Sequence, residues 1–81
     1  MKPSLLRQQA LEKGQTPLRV RSQLNSSQEI YYTIVNYNGS GWVRWFHTDF
    51  YETAEQAEAE IEKFVAQKPG LYINDKVFQP K

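Results

Sequence analysis

Between Thr53 and Lys68 the chain reads TAEQAEAEIEKFVAQK, and Ala54, Ala57, Ile61, Phe64 and Val65 recur every three or four positions. That spacing lines them along one stripe of an α-helix. Thr53 is placed to cap the first turn, with Gln56 at the reciprocal capping-box position. Glu55, Glu58 and Glu60 stand toward the positive end of the helix dipole, and Lys63 and Lys68 toward the other. Pro69 and Gly70 end the helix. A helix with a single apolar stripe has to lie on another apolar surface, and the remaining chain supplies mostly strands.

Residues 4–13 predict a short helix capped by Ser4 and stopped by Gly14, with Leu5, Leu6, Ala10 and Leu11 as a weak apolar side. A helix of this length is marginal alone, so it docks or frays. Residues 14–17, Gly-Gln-Thr-Pro, read as a linker or turn. Residues 18–24 alternate, with Leu18, Val20 and Leu24 on one side and Arg19, Arg21 and Gln23 on the other. After a polar turn at 25–28, residues 30–37 (IYYTIVNY) form a strand rich in β-branched and aromatic residues. Asn38-Gly39 suits a two-residue type I′ hairpin loop, which sends residues 42–48 back as a third strand.

That loop sets an expected register. Val35 then faces Trp42, Thr33 faces Arg44 and Tyr31 faces Phe46, while Ile34 meets Val43 and Tyr32 meets Trp45 on the other side. Ile30, Tyr32, Ile34, Val43 and Trp45, continued by Leu18, Val20 and Leu24, make the surface for the long helix. Residues 71–73 and 76–78 flank Asn74-Asp75 as either one edge strand or a small hairpin. The expectation is an α+β fold of order α-β-β-β-α-β. Its three- to four-stranded antiparallel sheet carries the long helix on one face. Residues 1–17 are a helix and linker, and 18–81 one domain.

Eighty-one residues suit a single small domain. Without cysteine there is neither a disulfide framework nor a thiolate metal site. No stretch has the apolar run of a signal peptide or a membrane span, so a cytoplasmic chain without membrane contact is expected. The formal charge of +1 argues against both an acidic nucleic-acid mimic and a strongly basic coat. The distribution is uneven, however. Residues 1–22 hold five Lys or Arg and one acid, whereas residues 49–62 hold six acids and no Lys or Arg. Helix and sheet on opposite sides would make the molecule a dipole with a basic sheet side.

Catalytic signatures are thin. His47, the sole histidine, neighbours Asp49 and Glu52 and offers either a base oriented by a carboxylate or a metal set. A polar strand-to-helix connection explains the same residues, and one histidine makes a poor metal site. Ser26-Ser27 has no histidine at a defined spacing. Residues 38–41 are glycine-rich but lead into a strand and lack the lysine of a phosphate loop. Neither enzyme, cofactor nor metal is expected.

The sheet face away from the long helix is the informative one. It would carry Arg19, Arg21, Tyr31, Thr33, Val35, Tyr37, Trp42, Arg44 and Phe46. Of these, Arg19, Arg21, Tyr31, Tyr37, Trp42, Arg44 and Phe46 are the candidate binding residues. Three readings fit. The rings stack on bases while the arginines meet phosphate; the same residues form a protein hot spot, in an adaptor, an inhibitor or a homodimer; or the N-terminal helix folds over them.

The run Tyr51-Glu52-Thr53-Ala54-Glu55-Gln56-Ala57, after a Trp-bearing strand, is similar to the F-D-T-A-E-E-A junction of AP2-type DNA-binding domains and the arm-binding domains of integrases. That resemblance implies a helix behind a three-stranded sheet that enters the major groove, with Arg19, Arg21, Trp42 and Arg44 facing DNA. Here Trp45 precedes Tyr51 by six residues, Tyr stands for Phe, and the glycine expected before the aromatic is missing. The likeness spans about a quarter of the chain and assigns no family.

Overall fold

The computed structural model describes residues 2–45 and 50–79. The order is α1 (Pro3–Glu12), β1 (Thr16–Leu24), β2 (Ile30–Tyr37), β3 (Trp42–Arg44), α2 (Ala54–Gln67) and β4 (Tyr72–Asn74), followed by a 3₁₀ turn (Asp75–Phe78). The fold is α+β, as the hydrophobic periods predict. Among the described residues no helix is long and apolar enough to cross a membrane.

The four strands lie in the order β3-β2-β1-β4. β1 and β2 pair antiparallel from Leu18↔Asn36 to Leu24↔Ile30. β4 runs parallel to β1, with Thr16 beside Tyr72 and Leu18 beside Asn74, so the sheet is mixed and not wholly antiparallel. The cause is the crossover. α2 returns the chain to the end where β1 begins, and a strand starting there runs in the direction of β1. Thr16 and Pro17, read as linker, are the first residues of β1. Of the two alternatives after α2 the edge strand forms, as the short β4, and no hairpin follows among the described residues. The Asn74 side chain accepts the Lys76 N–H (3.0 Å) and turns the chain into the 3₁₀ segment.

The hairpin register differs from the expected one by two residues. Tyr37 pairs with Trp42, Asn36 with Val43 and Val35 with Arg44, leaving four loop residues. A type I′ turn needs positive φ at two successive positions. Only Gly39 has it (φ +99°); the Asn38 carboxamide instead accepts the N–H groups of Ser40 and Gly41 at 2.9 Å. An even shift preserves the faces, because side chains alternate with period two. Trp45 therefore lies opposite Ile34 and not Tyr32, donating its N–H at 3.0 Å. Tyr32 pairs instead with Tyr51 through two 2.8 Å bonds.

α2 forms as its stripe requires. Thr53 Oγ1 accepts the Gln56 N–H (3.2 Å), and Gln56 Oε1 accepts the N–H of Glu52 (3.1 Å), one residue before the cap. Ala57 and Ile61 are buried with Leu18, Ile34 and Trp45, and Val20, Tyr32, Phe64, Val65 and Tyr72 pack around them. Trp45 meets Phe64 edge-on at 4.6 Å. Leu24 (64% exposed), Ile30 (61%) and Val43 (44%), expected in this core, are left out. A 14-residue helix spans about 21 Å and a nine-residue strand about 30 Å, so α2 does not cover the hairpin tip. Val43, moved by the register shift to lie opposite Asn36, sits at the loop end.

α1 lies on the other face of the sheet. Its cap is Lys2, not Ser4, because Pro3 supplies the fixed φ and missing N–H suited to a first helical position. Gly14, at φ +81°, ends it as expected.

Candidate binding face

Strand alternation assembles the face away from α2. Arg19, Val35 and Arg44 form one row across β1, β2 and β3; Arg21 and Thr33 form the next, and Gln23 and Tyr31 the third. Tyr37 and Trp42 stand beside the β2–β3 loop. Six of the seven candidate residues therefore share one surface, while Phe46 falls outside the described residues. His47 and Asp49 do too; their companion Glu52 is exposed.

α1 closes the end that holds Trp42 and Tyr37. Arg7 forks onto the fully buried Asp75 carboxylate, Nε to Oδ1 at 2.6 Å and Nη2 to Oδ2 at 2.8 Å. The same guanidinium lies 5.2 Å from the Trp42 ring centre. Its hydrogen bond to Asp75 raises the Arg7 pKa above its ordinary value; burial opposes the rise and the charge of Asp75 adds to it. Gln8 donates to the Gly39 carbonyl (2.8 Å) and to the Tyr37 hydroxyl (3.1 Å). Val35 and Ala10 are buried on this side, outside the α2 core. Leu5 remains 49% exposed while Ala10 is buried, so the covering expected of the apolar side of α1 is partial. Trp42 is half-buried, with Arg19 stacked 4.1 Å from its ring centre.

The other end is open. Arg21, on β1, donates to the Trp42 carbonyl on β3 (3.1 Å), so its side chain spans the full width of β2. Arg44 lies 4.5 Å over Phe50, and Tyr31 meets the same ring edge-on at 4.9 Å. Phe50 itself is 57% exposed. Tyr31 donates to Gln23 Oε1 at 2.9 Å. Among the described residues no carboxylate pairs with Arg19, Arg21 or Arg44. A guanidinium stacked on a ring leaves its N–H edge free for an oxyanion, which makes Arg19 and Arg44 usable donors.

Arg7, Gln8 and Phe50 belong to this surface, and the buried Asp75 holds Arg7 in place, although sequence reasoning did not select them. The cue for Phe50 was an aromatic just before Tyr51 in an otherwise polar junction. Arg7 and Asp75 lie 68 positions apart, and no local spacing links them. The position of α1 also bears on the AP2-like junction: the helix occupies the end of the face holding Trp42, one of the residues which that likeness would direct at DNA. Compared with known protein families, curated proteins and solved structures, the chain matches none.

Proposed function

We propose that the protein is a non-enzymatic module that binds nucleic acid through this face. The observation carrying the reading is the arginine trio. Arg19, Arg21 and Arg44 share one face, lack carboxylate partners among the described residues, and rest on aromatic rings or a backbone carbonyl. Arginine fixed by stacking meets phosphate at low entropic cost. Phe50 and Tyr31 offer ring surface beside it, the combination that sequence-tolerant strand binders use. A cytoplasmic setting accompanies this reading, since a chain without cysteine suits a reducing compartment.

The test is a salt titration of oligonucleotide binding. Log affinity should fall linearly with log salt, and Arg21→Ala with Arg44→Ala should flatten the slope by about two units. Phe50→Ala should weaken binding at every salt concentration, by about 1–3 kcal/mol. Absence of binding at low salt would remove the proposal. A protein partner, a second copy included, is then the alternative. It is favoured by the exposed apolar tip of Leu24, Ile30 and Phe50.

A further inference from the structure

Thr33 is the odd residue of this face. It is 1% exposed, and its hydroxyl has no hydrogen-bond partner among the described residues. Burying a hydroxyl unpaired is costly, and a group left so in a native fold calls for an explanation. The surroundings are cationic. Arg21 is directly opposite on β1, Arg19 and Arg44 flank the neighbouring Val35 row, and none of the three has a carboxylate partner among the described residues. The Arg21 side chain crosses β2 to reach the Trp42 carbonyl.

We infer that Thr33, Arg21 and Arg44 form a seat for one phosphate group. The inference deepens the proposed function by naming where a phosphodiester is held, and it rests on the same face. An arriving phosphate draws the Arg21 guanidinium off the neutral Trp42 carbonyl, because a charge-assisted bond to an oxyanion is stronger than one to an amide oxygen. The Thr33 hydroxyl, opposite Arg21 on β2 and without a partner among the described residues, donates to a phosphate oxygen. Arg44, held over Phe50, completes the positive side. No covalent step is involved.

Inorganic phosphate, titrated at constant ionic strength with chloride as the exchanged anion, should shift the NMR signals of Thr33 and Trp42 together. Thr33→Val keeps the shape and removes the hydroxyl. It should fold at least as stably as the wild type, yet bind phosphate about tenfold more weakly, the loss of one hydrogen bond to a charged group. Thr33→Ser should retain binding, and Arg21→Ala should abolish the Trp42 shift. Thr33→Val binding phosphate like the wild type would overturn the inference, as would phosphate shifts that bypass Thr33. Oligonucleotides separate the two proposals. Phosphate bound through Thr33 without oligonucleotide binding keeps the seat, assigns it to a free phosphorylated ligand and removes the nucleic-acid reading. Oligonucleotide binding indifferent to Thr33→Val and Thr33→Ser removes the seat alone.

Discussion

Gln28 carries the left-handed backbone of the β1–β2 turn, at φ +62°, alone among the described non-glycine residues. The turn is otherwise well bonded: Asn25 Oδ1 accepts the N–H groups of Ser27 and Glu29, each at 2.9 Å. A side chain at positive φ costs about 1–2 kcal/mol, and glycine avoids that at some entropic cost in the unfolded chain. Gln28→Gly should therefore gain about 0.5–1 kcal/mol and raise Tm by several degrees, measured by thermal melting. An unchanged Tm would mean that the turn relieves its own strain. The polar run at 25–28 announced a turn, but nothing in it pointed to Gln28, because the deciding factor is where the ladder on either side stops. Phe64 and Val43 test the register in the same way. Phe64→Ala should cost about 3 kcal/mol, since the ring packs on Trp45 and Tyr72, whereas Val43→Ala should stay within about 0.5 kcal/mol. Urea unfolding reads both, and a reversed order would reinstate the two-residue loop.

At the scale of elements, α2 and the β1–β2 hairpin were legible because each carries its own period: three to four residues for Ala57, Ile61 and Phe64, two for Leu18 and Val20. The mixed sheet and the docking of α1 were not. Both depend on partners distant in sequence, β4 with β1 and Arg7 with Asp75. The site divides similarly. Alternation placed Arg19, Arg21, Thr33 and Arg44 on one face whichever even register holds, whereas the half-closure of that face by α1 follows from the ion pair. Arg7→Ala should cost roughly 3 kcal/mol, because it leaves Asp75 buried without its cation. Amide exchange should accelerate across Pro3–Glu12 before the rest of the chain. Replacing both partners by leucine should recover much of the loss, which a simple packing role for Arg7 would not allow. The pH dependence has a definite sign. With its folded pKa raised, Arg7 stabilises fully below the ordinary arginine range and loses that contribution only as pH climbs through the raised value. Stability should show no step from this group between neutral and mildly alkaline pH.

For the molecule as a whole, the formal charge of +1 conceals a segregation that matters more than the total. The arginine trio occupies one side of the sheet, and Glu55, Glu58, Glu60 and Glu62 belong to α2 on the other. The shorter axes of the molecule measure 26 and 25 Å. The Debye length is about 8 Å at physiological ionic strength, so the acids of α2 are largely screened from a phosphate on the opposite face; at 0.01 M salt it is about 30 Å and they are not. This gives a test of locality. Glu55→Gln with Glu60→Gln adds two to the net charge without touching the binding face. At physiological salt the affinity for an oligonucleotide should stay within about twofold of the wild type, and at 0.01 M, where the acids are no longer screened, it should rise. Arg21→Ala with Arg44→Ala changes the charge by the same amount in the other direction, yet should lower both affinity and slope at every salt concentration. An equal gain from the glutamine pair at both ionic strengths would mean that total charge governs binding, and the arginine face would lose its claim to be the site.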